Sequence, residues 1–180
     1  NMTALHSTKG KLYSSMFLYS LWHSRNSGYD DSENGIWDKD LQEIATMLLK
    51  ENSNVLFHHT VGKFLPNIAY LDKQWVLDNF NEIYSQTNGE VFSAAIDGYF
   101  FYNNQPNKFL FDLFEQRQIF EKCLDENHKT ISSDAIKNVI NHLLIAYLLE
   151  FKNAELNSKA IQHLFSNKTE RIYSTIIYFF

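Results

Sequence analysis

The chain has 180 residues, enough for one domain with a real core or one short helical array. Hydrophobic residues make up 44% and charged residues 21%, a globular balance that argues against disorder. A formal net charge of −5 without any long Lys/Arg run excludes the clustered cations that a nucleic-acid backbone demands, and the single cysteine, Cys123, excludes an internal disulfide and a multi-cysteine zinc cage.

Scarce glycine (6) and proline (2) argue against turn-rich sandwiches and barrels. The expected fold is all-α: stacked antiparallel helical hairpins in an α-α superhelix of tetratricopeptide or HEAT-like kind, with about nine helices in a single domain over residues 1–180. The chain opens "NMT", with Asn1 before Met2, which reads as an expression scar or the trimmed edge of a longer protein. Residues 26–37, "NSGYDDSENGIW" from Asn26 to Trp37, read as a flexible acidic connector. Asp38 then caps "KDLQEIATMLLKE", whose inward stripe is expected to be Trp37, Leu41, Ile44 and Leu48. Asp72 caps "KQWVLDNFNEIY", with Leu71 stapled on Val76.

"TNGE" (Thr87–Glu90) has capping-box spacing before "VFSAAIDGYFFY". Pro106 suits the first helical position of the segment that continues "NKFLFDLFEQRQIFEKCL", with Phe109, Leu110, Leu113, Phe114, Phe120 and Leu124 as its apolar stripe. Ser132 or Ser133 caps a helix carrying Ile136, Val139, Ile140, Leu143, Leu144, Tyr147, Leu148 and Phe151, which reads as the most buried of all. A shorter helix follows around Ala160–Phe165, and "NKTE" (Asn167–Glu170) caps the last one. That last helix, "RIYSTIIYFF", puts Ile172, Ile176 and Phe179 on one side with Tyr173, Ile177 and Phe180 nearby. With no polar cap after it, the expectation is a chain cut from a longer protein, the alternative being a helix that folds back and is fully buried. Asp38, Asp72 and Pro106 stand 34 residues apart, a tetratricopeptide period, although that family's own residue pattern is missing.

The densest apolar run, "HLLIAYLLEF" (His142–Phe151), is about half the ~20 residues of a membrane span. No signal-peptide pattern is visible, so the expected location is cytoplasmic.

The chemistry-bearing motifs are few. Asp30, Ser32, Asn34 and Gly35 match the first half of a calcium loop, but its bidentate Glu would fall on Leu41. His58 and His59 are adjacent on a helix and point about 100° apart, so they cannot chelate one ion together. His142 reads as a core-edge imidazole, Cys123 as packing and Trp75 as core. Gly62 and Gly98 lie inside helical patterns, where close helix-helix approach would explain them. No residue earns a catalytic, cofactor or metal assignment. An all-α hydrolase would need His58, His59, His142, Asp97 and Glu121 to converge in space.

The stretch "VGKFLPNIAYLDKQWVLDNFNEIY" (Val61–Tyr84), with its "FLP" break and "LDKQWV" cap, followed by "VFSAAIDGYFF" (Val91–Phe101), resembles the helical region of large bacterial defence proteins. In those proteins a STAND-type NTPase or sirtuin-like effector precedes stacked α-hairpins. The resemblance implies a non-catalytic sensor or scaffold segment with the enzyme elsewhere, and no functional residue carries over. Read from the residues, the expected role is a helical scaffold that binds a protein partner or other domains of its own chain. No nucleic acid, membrane or cofactor is expected, and the C-terminal helix offers an oligomer interface. The alternatives are a small metal-dependent hydrolase and a homodimerising structural protein.

Overall fold

The computed structural model describes residues 7–27, 34–51, 54–85, 87–125, 130–151, 154–155, 158–166 and 170–179. Among them are eleven helices and no strand: α1 (Thr8–Asn26), α2 (Lys39–Lys50), α3 (Val55–Leu71), α4 (Lys73–Asp78), α5 (Phe80–Ile83), α6 (Gly89–Tyr102), α7 (Lys108–Gln116), α8 (Ile119–Leu124), α9 (Ser133–Leu148), α10 (Lys159–Ser166) and α11 (Glu170–Phe179). They fall into two compact units, Asn1–Tyr99 and Phe100–Phe180, with the boundary inside α6.

Six helix starts share one device. The side-chain oxygens of Ser7, Asp38, Asn54, Asp72, Asn107 and Ser132 accept the free N–H three residues on, at 2.9–3.2 Å. Each satisfies a donor that the helix itself cannot. Two expected starts shift. Asn88, not Thr87, caps α6, accepting from Glu90 N and Val91 N at 3.2 and 3.3 Å. Pro106 lies outside α7, and Asn107 is its cap. The "NKTE" cap falls mostly on residues 167–169, outside the described residues.

The count exceeds nine because two expected helices break. Asn79 ends α4, its amide donating to the Trp75 carbonyl at 2.9 Å. Gln118 takes a left-handed backbone, φ 57°, between α7 and α8. Conversely, the "FLP" break is no break. Pro66 sits inside α3, leaving the carbonyl of Gly62 without its usual intrahelical partner.

In the N-terminal unit α3 is the hub. It packs against α1, α2, α4 and α5, and buries residues along most of its length. Phe17 of α1 stacks on Phe57 and Phe64 of α3 at 6.1 and 5.4 Å, and Trp37 meets Trp75 edge-on at 5.1 Å. Residues 35–37 of the acidic connector are hydrogen-bonded to helices α1 and α3. Gly35 N donates to Tyr70 O at 2.7 Å, Ile36 N to Ser24 Oγ at 2.9 Å and Trp37 Nε1 to Ser20 Oγ at 3.1 Å. The α2 face is rotated from expectation. Ala45 and Leu49 are buried, whereas Ile44 is exposed, with α2 packed on α3 and α5.

Helices α3 and α6 approach closely, backbone to backbone. A Cβ added at Gly62 would strike the Ala95 carbonyl, and one added at Gly98 would strike the His59 carbonyl. Gly62–Ala95 and His59–Gly98 therefore pair in reverse order, as two antiparallel helices do. The hydrogens that stand where Cβ atoms would be point at carbonyl oxygens, weak bonds worth about 0.5–1 kcal/mol each.

In the C-terminal unit the core gathers Phe100, Phe111, Phe114 and Phe120, with Phe111 and Phe120 centroids 4.9 Å apart. Val139, Ile140, Leu143 and Leu144 of α9 are buried as expected, but Leu148 is exposed, so α9 is not the most enclosed helix. The last helix, α11, packs on α9 through the buried Ile172 and leaves Tyr173, Ile177 and Tyr178 exposed.

The glycine crossing makes a paired prediction. Gly62→Ala and Gly98→Ala each force two backbones apart and should lower stability by about 2 kcal/mol or more despite the gain in helix propensity. Gly89→Ala at the start of α6 meets nothing within 4 Å and should raise it by about 0.5 kcal/mol. Urea unfolding of the three variants checks both signs.

Candidate interaction surface

Helix α1 is apolar on two opposite faces. One face carries Tyr13, Phe17 and Leu21, buried with Ser20 and Ser24. At about 100° per residue, the opposite face carries Leu12, Leu18, Tyr19 and Trp22, with Tyr19 52% and Trp22 59% exposed. The Tyr19 ring lies 5.8 Å from Trp22, tilted, and 6.1 Å from the half-buried His23 imidazole, stacked, so the three rings form one cluster. Lys11, Leu18 and Arg25 stand seven residues apart along one edge of this stripe, and no Asp or Glu occurs in the helix. Motif reading passes over α1. The available signal was the recurrence of apolar residues on both faces of "TKGKLYSSMFLYSLWHSRN", which cancels ordinary amphipathicity.

A second feature of the N-terminal unit is an open groove of about 480 Å3 between α2 and α4. Glu43, Thr46 and Met47 line one wall, and Asp72, Trp75 and Asp78 the other; no Lys, Arg or His lines it. Its walls are braced by hydrogen bonds. Gln42 Nε2 donates to Asp72 Oδ2 at 2.6 Å, Trp75 Nε1 to Thr46 Oγ1 at 2.8 Å and Gln74 Nε2 to Asp78 Oδ1 at 2.7 Å. Met47, 70% exposed, stands at the rim. Trp75 is thus a core residue with its ring edge against the groove, since it is only 6% exposed.

The residues that an enzyme would need are differently placed. His58 is fully buried on α3. Its Nδ1 lies 3.3 Å from the Ile83 carbonyl, and a carbonyl only accepts, so Nδ1 carries the proton. Burial lowers its pKa, with the Ile83 and Leu49 carbonyls opposing. Burial likewise lowers His59, and the Asp97 carboxylate partly restores it. Asp97 is the one expected partner that the fold brings to either α3 histidine.

In the C-terminal unit His142 Nε2 donates to Asn103 O at 2.6 Å, and Asn138 Nδ2 donates to Phe100 O at 2.7 Å. These two α9 side chains satisfy carbonyls at the end of α6. The Phe100 ring meets His142 edge-on at 5.0 Å, and burial pushes its pKa down to about 4. Glu121 lies near Glu115 rather than beside an imidazole donor pair. Burial and the Glu121 charge raise the Glu115 pKa, and Glu115 Oε1 accepts from Ala160 N at 3.5 Å at the start of α10. Cys123 is buried. Among the described residues, no three His, Cys, Asp or Glu side chains are grouped to hold a metal ion. Asp30 and Ser32 of the calcium-loop reading lie outside the described residues, and the Gly35 N–H is taken by Tyr70. No helix among them is long and apolar enough to cross a membrane.

Comparison of the chain with protein-family models, curated proteins and solved structures finds no match.

The histidines set a pH dependence. His58, His59 and His142 all have folded pKa values below that of the unfolded chain, so the unfolded state binds protons first. Their contribution is full above about pH 6.5 and is lost as pH falls through the folded values. For His142 alone the loss reaches about 3 kcal/mol near pH 4. Glu115 acts in the opposite sense, holding its proton to higher pH than in the unfolded chain, but is one group against three. Urea midpoints should fall between pH 7 and pH 4.5; a flat profile would contradict this account.

Proposed function

We propose that this protein is a non-catalytic helical scaffold or sensor module that binds a protein partner through the outer face of α1. The carrying observation is the exposed Leu12, Leu18, Tyr19 and Trp22 stripe on a helix whose other face is already packed. Aromatic anchors with an Arg at the margin are the composition of energetic centres in protein interfaces, and rigid rings lose little conformational entropy on docking. A helical stack presents such faces without rearranging. The resemblance to helical segments of defence proteins supports the same reading, with the catalytic work done by other parts of a larger assembly. The exposed Ile177 and Tyr178 of α11 supply a second apolar face on which copies could associate.

A photoreactive phenylalanine analogue in place of Leu12 tests this. Crosslinks to a discrete protein are expected in cell extract and should fall about tenfold or more in Tyr19→Ser/Trp22→Ser. The double variant removes only exposed rings, so its urea midpoint should shift by no more than the equivalent of about 0.5 kcal/mol. Crosslinking to lipid alone, or none, would refute the reading.

A further inference from the structure

We propose that the partner of the α1 face is a second copy of this chain, whose α2–α4 groove receives it head to tail. The inference rests on the reading of α1 as a docking face and names its occupant. Charge complementarity carries it. The α1 stripe is edged by Lys11 and Arg25 with no acid in the helix, and the groove carries Glu43, Asp72 and Asp78 with no cation in its lining. The apolar parts also match. Trp22 and Tyr19 project from α1, while Met47 at the groove rim and Ile44 beside it are exposed. A groove of about 480 Å3 is roomy enough for an indole.

One protomer cannot join the two surfaces itself. The inner side of α1 meets Trp37, where Phe17 lies 6.2 Å away, and Trp37 in turn meets Trp75 on the inner wall of the groove. The stripe points the other way. Two different patches that fit each other make a heterologous contact, which closes into a ring or extends as a filament. An anionic lipid surface fits less well. Such surfaces recruit clusters of about four to eight cations, and α1 offers Lys9, Lys11 and Arg25 on a chain of net charge −5.

Sedimentation of the purified full chain over a concentration series at low and high salt is the test. Concentration-dependent association that salt weakens is expected. Glu43→Lys/Asp78→Lys in the groove, and separately Lys11→Glu/Arg25→Glu on α1, should each weaken it about tenfold or more. Mixing the two variants should restore it, because each then presents what the other lacks. The Leu12 photoreactive probe should crosslink to peptides of α2 and α4. Association that survives the groove reversal, as an α1–α1 or α11–α11 dimer would, overturns the proposal. So does a purified chain that stays monomeric. If that monomer still crosslinks to another protein in extract, only the self-docking falls and the scaffold reading stands. If Leu12 crosslinks no protein in either setting, or the chain only binds anionic vesicles, both fall.

Discussion

The N-terminal unit depends on a place where two helices nearly touch backbone to backbone. Gly62 on α3 and Gly98 on α6 each leave a side of the helix bare, and the opposing carbonyls of Ala95 and His59 occupy the space. Glycine inside a helix costs about 1 kcal/mol of propensity relative to alanine, so the positions are explained only by what the closeness allows. With α6 held that near, Val61, Phe64, Ile96 and Tyr99 are all buried around the crossing. Pro66 one turn later leaves the Gly62 carbonyl free of its intrahelical bond at the level where α6 crosses.

At other seams some polar groups find partners on neighbouring elements. Trp37 and Trp75 bring their indole N–H groups to the hydroxyls of Ser20 and Thr46, which themselves donate to their own helices at Met16 O and Gln42 O. His142 and Asn138 close the end of α6 in the C-terminal unit. Burial at the helix seams lowers the His58 and His142 pKa values, and the carbonyls that these rings meet oppose the shift. The same interior that holds them neutral sets them against acid.

The exposed surface is divided by charge in the N-terminal unit. A cationic, aromatic helix face and an anionic groove with an apolar rim are both built on helices capped by Ser7, Asp38 and Asp72. Rigid presentation matters because interface energy is reduced by any ordering that docking must impose.

Helix class, the caps Asp38 and Asp72, a serine cap at 132 or 133, and the burial of Val139, Ile140, Leu143 and Leu144 were legible in the sequence. Each depends on local spacing or on a side chain reaching its own backbone. The close approach at Gly62 and Gly98 was legible too, because glycine inside a helical pattern lowers stability unless a neighbouring backbone needs the space. What only the tertiary structure decided was orientation. Ala45 and Leu49 turn inward in place of Ile44, α7 and α8 part at Gln118, and Pro66 is absorbed into α3. The two-faced α1 and the α2–α4 groove belong with these, since an apolar residue announces that it can be buried but not which of two faces meets a neighbour. That choice is made by the shapes of helices distant in the chain.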